Sequence, residues 1–195
     1  MSGTIFFPQL YQAFQRENPE ITLLITECGS LHAEKLLARG ELDLAMATLP
    51  ASPSPEFSYL RLARTQLMLC VSPAHRLANA PSVDISMLRD EPLVLFGTDT
   101  APSRAVLSLF AERQLRPNVL LYSSQLSMIQ QFISDGTAAA FLLDALARRE
   151  PGLVAVPFST PVYFDTVLLW KRGQYLYNDV ERFLRFAKDF HFQDI

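Results

Sequence analysis

The stretch from Ile21 to Leu49 constrains the fold more than any other part of the chain. It opens on the apolar run Ile21, Thr22, Leu23, Leu24, Ile25, breaks at Glu27, Cys28, Gly29 and Ser30, and continues in helical periodicity to Arg39. After Gly40 it returns to an apolar run from Leu42 to Ala47. Short β-branched and leucine-rich runs bounded by turn residues read as buried strands. A helix of about nine residues between two such strands suits the right-handed crossover of a parallel sheet. Ser30 is placed to cap that helix through its hydroxyl, and Gly40 to end it in the left-handed conformation. Cys28, Gly29 and Ser30 then sit at a strand's carboxyl end, where free N–H groups and a positive dipole end can receive an anionic or carbonyl oxygen. Every such unit has a helix N-terminus, so a purely structural cap is an equal reading of Ser30.

The rest of the chain repeats this grammar. Phe6, Phe7, Leu10, Tyr11 and Phe14 recur three and four apart and predict a first helix over about 5–17, stopped by Pro19. A parallel α/β fold places a strand before such a helix, so the chain is expected to be part of a longer protein. Pro50 to Pro55 reads as a stiff surface loop, followed by an extended segment over 57–63 and a separate strand over 66–72. His75 reads as a solvated loop residue, and 85–89 as a brief helical piece. Strands are predicted at 93–96, 119–122, 138–143, 153–158 and 164–171. Polar turns follow two of them: Gly97 to Ser103 feeds a helix carrying Val106 and Phe110, and Ser123 to Gln125 feeds one carrying Ile129 and Ile133 and stopped by Gly136. A last helix starts at Asn178, with Glu181 spaced as a capping-box partner. Two α/β lobes follow, lobe I from 1–70 with 160–195 and lobe II from 71–159.

With 195 residues and 49% hydrophobic composition, the chain can bury a substantial core. Its net charge of −3 and the absence of a basic block give it no electrostatic grip on nucleic acid of its own. No apolar run is long enough to span a membrane, nothing at the start resembles a signal peptide, and Cys28 and Cys70 read as free thiols, so a cytoplasmic protein is expected. There is no phosphate loop, dinucleotide glycine pattern, two-histidine metal motif or nucleophile elbow, which points to no catalytic residues, no metal and no cofactor. Cys28 could be a nucleophile, but no base or resolving thiol is placed beside it, and a small residue filling a tight turn is the simpler reading. What the chain offers is a set of polar turns feeding helices: Met1 to Thr4, Cys28 to Leu31, Gly97 to Arg104 and Ser123 to Gln125. Hydroxyls and backbone N–H groups of this kind, enclosed by apolar walls, suit a small polar ligand.

Several motifs then carry a resemblance: Phe7-Pro8 and Phe14, Asn18-Pro19 before the run Ile21 to Glu27, Gly29-Ser30, Leu37, Gly40, Leu42-Asp43-Leu44, Leu67 to Pro73 with His75, Leu77 and Ala78, and Asp135-Gly136 with Thr137 to Leu143. In order and spacing, over essentially the whole chain, they resemble the effector-binding domain of LysR-type transcriptional regulators. The resemblance implies the two-lobed α/β fold of type 2 periplasmic binding proteins, with a small-molecule effector in a cleft between the lobes. The family's acidic, variable, glycine, hydroxyl turn matches Glu27 to Ser30 and makes Ser30 an effector contact. The family's serine or threonine at the first helix start falls near Met1, Ser2 or Thr4.

The full set of expected effector contacts is Ser2, Gly3, Thr4, Gly29, Ser30, Leu31, Phe96, Thr98, Arg104, Ser123, Ser124, Gln125, Phe141 and Phe158. Arg104 near a helix start suits a carboxylic acid effector, while an ion pair with Glu112 is an equal structural reading. The family's winged helix-turn-helix lies outside this sequence, so DNA binding would come only through that part. A homodimer or tetramer and no membrane partner are implied. A free solute-binding protein and an enzyme on the same fold are the rival classes, and fold alone separates neither.

Overall fold

The computed structural model describes residues 5–50 and 52–192. The expected contacts Ser2, Gly3 and Thr4 lie outside them. The chain divides into two compact units, one of Met1–Arg64 with Asp165–Ile195, the other of Thr65–Phe164.

The first unit is built on a short antiparallel pair. Strand β1, Ala45–Leu49, lies against strand β7, Tyr163–Lys171, with Ala45 opposite Leu169 and Leu49 opposite Asp165. Alternation sends Ala45, Ala47, Leu49, Val167 and Leu169 to one face, where they meet Ala33 and Leu37 of helix α2, Ser30–Arg39. Leu168 and Met46 belong to a second cluster, with Leu10 and Phe14 of helix α1, Phe7–Glu17, and Phe183 and Ala187 of helix α6, Asn178–Asp189. The Phe14 ring meets that of Phe183 edge to face at 4.9 Å. Both glycine stops act as expected. In α2 the Gly40 N–H reaches the Leu37 carbonyl and the Glu41 N–H reaches Leu36, with Gly40 at φ +73°, a Schellman closure.

Three expectations fail in this unit. The run Ile21 to Ile25 is not a strand: residues 21–29 are irregular, Ile21 is buried, and Leu24 and Ile25 are 93% and 57% exposed. A strand buried on both faces needs ladders on its edges, and none of the described strands pairs with this run. Consequently there is no parallel crossover through α2, and β1 starts three residues later than its apolar run and pairs antiparallel instead. Ser30 is not the cap either. Gly29 takes the N-cap position in extended conformation, its carbonyl accepting the His32 and Ala33 N–H groups, and Ser30 is already the first helical residue. The capping box at Asn178 is likewise unformed, because Tyr177 is the N-cap and α6 has no side-chain cap.

Strand β2, Phe57–Val71, runs 15 residues without a break. The two segments expected at 57–63 and 66–72 are therefore one strand, which the lack of any Gly or Pro from Glu56 to Ser72 permits. The chain passes from the first unit to the second inside β2 and back inside β7.

The second unit is a mixed five-stranded sheet in the order β6, β2, β5, β3, β4, with β3 as Pro92–Leu95, β4 as Asn118–Tyr122, β5 as Ala139–Leu143 and β6 as Val154–Pro157. Strands β3, β4 and β5 are mutually parallel, and β2 opposes both β5 and β6. Four strands thus share one direction. Helix α3, Ala101–Glu112, joins β3 to β4; α4, Leu126–Ser134, joins β4 to β5; the single turn α5, Asp144–Ala147, leads toward β6. The repeated strand, polar turn and helix of the second half are as expected. Gly136 at φ +69° closes α4 through the Ile133 and Phe132 carbonyls.

Candidate functional site

Because β3, β4, β5 and β6 point the same way, the segments that follow them gather at one edge of the second unit. Leu95 is registered with Tyr122, so the turns at Phe96 and Ser123 are neighbours, and the Ser123 N–H donates to the Leu95 carbonyl at 2.9 Å. The connection from β3 leads outward to β4, whereas that from β5 leads across β2 to β6. That reversal between adjacent parallel strands is where α/β sheets open a crevice outside their carboxyl ends.

The turn after β3 holds itself in place. Ser103, 3% exposed, donates from Oγ to the Phe96 carbonyl at 2.8 Å, and Thr100 Oγ1 donates to the Gly97 carbonyl at 2.8 Å. Arg104 Nη1 donates to the Asp99 carbonyl at 2.9 Å, so the guanidinium clamps the turn through one amino group and has further donors to spare. Its pairing is with a backbone oxygen rather than with Glu112. Thr98 is exposed on this turn.

After β4, Ser123 is buried and its Oγ accepts the Gln125 N–H at 3.0 Å, an intraturn bond of the kind serine favours. Ser124 and Gln125 are exposed, and Gln125 is the N-cap of α4 without a side-chain cap bond. Phe141 and Phe158 stack at 5.7 Å with planes 11° apart, and both are buried, as is Phe96. Val83 pairs with Phe158 and fixes its backbone.

In the first unit, Gly29, Ser30 and Leu31 form the α2 N-terminus. Ser30 is half-buried with its hydroxyl unspent on capping, and Leu31 is 41% exposed. The first N–H groups of a helix have no intrahelical partner, so this turn keeps donors available.

Chemically these turns offer neutral hydrogen-bond donors beside apolar rings and a single cation. Among the described residues no three His, Cys, Asp or Glu side chains are grouped to hold a metal, and no helix is long and apolar enough to cross a membrane. Burial pushes the Cys70 thiol up to about 12, so it stays protonated at neutral pH, while Cys28 is exposed.

Two features escaped the sequence reading. His75 is not a solvated loop residue: its Nε2 lies 2.7 Å from Glu91 Oε1, and its Nδ1 accepts the Leu77 N–H at 3.1 Å, which assigns the proton to Nε2. Arg76 donates to Glu91 Oε2 at 2.8 Å and to the Met87 carbonyl at 2.7 Å. Burial works to raise the Glu91 carboxyl, but the hydrogen bonds from His75 and Arg76 outweigh it and hold the group below its ordinary value. The second is Asp144, whose Oδ1 accepts the Gln66 and Ala145 N–H groups at 3.2 and 2.8 Å, while buried Thr65 donates to the Phe164 carbonyl at 3.3 Å. These bonds brace the middle of β2 and the start of β7, where the chain changes unit. Partners this far apart in sequence leave no local signal.

A mixed sheet with polar turns gathered at its carboxyl ends, entered and left through two continuous strands, places the chain among the two-unit α/β domains. The family follows directly. The chain belongs to the LysR substrate binding domain family, whose model matches residues 1–191. It is 28% identical over 193 residues to the HTH-type transcriptional regulator YwbI of Bacillus subtilis, covering 97% of this chain and 64% of that protein. The chain thus spans just under two thirds of that relative's length. The regulatory domain of Synechocystis PCC6803 CcmR in complex with 2-PG superposes with a TM-score of 0.85 at 19% identity, covering 96% of this chain and 91% of that one. The effector binding domain of QuiR in complex with shikimate gives 0.77 at 20% identity, covering 95% and 90%. The fold is that of the LysR effector-binding domains, related to the periplasmic binding proteins, as the motif resemblance implied.

Proposed function

We propose that this domain senses a small organic effector for a longer LysR-type transcriptional regulator, and that strand-to-helix turns hold the effector. The observation that carries the reading is the turn set at the carboxyl ends of β3 and β4, where Thr98, Ser124 and Gln125 present exposed polar side chains beside the carbonyl-clamped Arg104. Ser30 at the α2 N-terminus is a proposed contact of the first unit, together with Gly29 and Leu31. Phe96, Phe141 and Phe158 supply the apolar surface. The remaining donors of Arg104 favour a carboxylic acid as effector, because a guanidinium bonded at one amino group still offers a second pair of N–H groups.

Effector binding acts by population shift: a ligand biases a conformational equilibrium only through its different affinity for the two states. The coupled output is the geometry of a cytoplasmic dimer or tetramer and of its DNA-binding parts, which lie outside this sequence. The domain itself carries out no chemistry.

A thermal-unfolding screen with small carboxylic acids, amino acids and neutral analogues tests the reading. An effector at about a hundredfold over its dissociation constant adds about 2.7 kcal/mol of stability. Thr98→Ala and Ser30→Ala are expected to weaken binding of that ligand. An effector whose affinity is unchanged by every substitution in these turns would place its site elsewhere.

A further inference from the structure

The two strands that carry the chain between the units are hydrogen-bonded neighbours; β2 changes unit between Arg64 and Thr65, and β7 between Phe164 and Asp165. Inside the second unit the register of β2 with β5 starts at Leu67, opposite Leu143. Thr65 and Gln66 therefore belong to the second unit but precede that ladder, and side-chain bonds hold them. Thr65, 2% exposed, donates from Oγ1 to the Phe164 carbonyl at 3.3 Å. The Gln66 N–H donates to Asp144 Oδ1 at 3.2 Å.

A ladder bond is lost only when two strands part, whereas a side-chain acceptor is withdrawn by a rotamer change. Asp144 is the first residue after β5 and opens α5. Its Oδ1 also accepts the Ala145 N–H at 2.8 Å, and its Oδ2 accepts from Arg148 Nη2 at 3.4 Å, so the carboxylate is held in place with its side chain only 22% exposed. On the first unit's side of the crossing, Arg61 Nη1 lies 3.7 Å from Asp165 Oδ2 with the Arg61 side chain 58% exposed, a pair that contributes little. Among these side-chain restraints the stronger ones belong to the second unit.

We infer that Asp144 is a latch on the crossing: its bond to the Gln66 N–H fixes the direction in which β2 leaves the second unit and so limits how far the two units reorient. Released, β2 bends at Thr65 and Gln66 while its ladder to β5 from Leu67 to Cys70 stays intact. Strand β5 lies next to β3 and runs parallel to it, so the latch stands at the same sheet edge as the proposed effector turns. That link to an effector rests on the reading of those turns; the latch itself does not.

Amide exchange and a spin-label distance, both on the ligand-free 195-residue chain, test the latch. Labels at exposed Lys35→Cys of the first unit and Glu112→Cys of the second, with Cys28→Ser, give one distance between the units. Asp144→Ala is expected to speed exchange at the Gln66 amide at least about tenfold, to leave Leu69 and Cys70 at the parent rate, and to widen the distance distribution about twofold. Asp144→Asn keeps an acceptor oxygen and is expected to stay near the parent in both readings. Thr65→Val keeps its shape, loses the bond to Phe164, and is expected to widen the distribution as well. An unchanged distribution in folded Asp144→Ala overturns the inference, and so does Asp144→Asn behaving like Asp144→Ala. Equal acceleration at Gln66, Leu69 and Cys70 overturns it too, because that marks general destabilisation of the sheet. If Asp144→Ala does not fold, an unchanged distribution in Thr65→Val overturns it.

Discussion

Glu91→Gln isolates the network that holds the segment after β2 against the segment before β3. The Glu91 side chain is 12% exposed and its two oxygens are both used, by His75 at 2.7 Å and by Arg76 at 2.8 Å. Glutamine keeps the shape but turns one acceptor into a donor that faces another donor. Arg76 is 57% exposed, so its share of the pairing is small, about 0–1 kcal/mol. The His75 bond is shielded at both ends and, as a hydrogen bond to a charged group, contributes about 1.5–3 kcal/mol. A total near 2 kcal/mol lowers the unfolding temperature of a chain of this size by about 4–8 °C at neutral pH. The Glu91 carboxyl titrates below the ordinary glutamate value of 4.5 in the folded state, so its stabilisation is complete above that pH and disappears as pH falls through the folded value. The deficit of Glu91→Gln is therefore widest near pH 7 and shrinks below about 4.5. Calorimetric unfolding of parent and variant across that range is the assay. A deficit of the same size at pH 7 and pH 4, or none at pH 7, would show that the carboxylate's charge does not hold this network.

Gly40→Ala is expected to cost about 1–2 kcal/mol by urea unfolding: its φ of +73° penalises any side chain, although no atom within 4 Å would clash with a Cβ. Ser30→Ala is expected to change stability by no more than about 0.5 kcal/mol, because Gly29 and not Ser30 caps α2, so any weakening of effector binding in calorimetry reads the lost hydroxyl directly. Phe14→Ala is expected to cost about 3–5 kcal/mol in the same unfolding assay, since the ring is fully buried between Phe183 and Phe186. In the native protein at neutral pH a disulfide reagent is expected to label exposed Cys28 and to spare Cys70, whose thiol is buried and pushed up to about 12; labelling of Cys70 at the same rate would show that the β2 ladder opens readily.

Local signals decided what local physics controls. Gly40 and Gly136 end their helices because left-handed backbone there is available to glycine at no steric cost, and that is legible from composition and position alone. The strand, polar turn, helix order of Leu93 to Leu143 was readable for the same reason, as was the motif order that marks the LysR family. Tertiary structure decided where pairing partners lie. The apolar run Ile21 to Ile25 reads as a buried strand, yet burial needs neighbours, and Leu24 stands 93% exposed without them. Whether Phe57 to Val71 breaks in the middle depended on ladders to strands about 70 residues or more further on. His75 reads as a surface residue until folding brings Glu91, 16 residues away, to 2.7 Å. Ser30 and Asn178 carry capping chemistry, but the backbone entering each helix placed Gly29 and Tyr177 at the cap instead. Sequence determines which residues favour a turn, a strand or a helix end, because those preferences act within a few bonds. Contacts that are close in space and distant in chain exist only after the fold has brought them together.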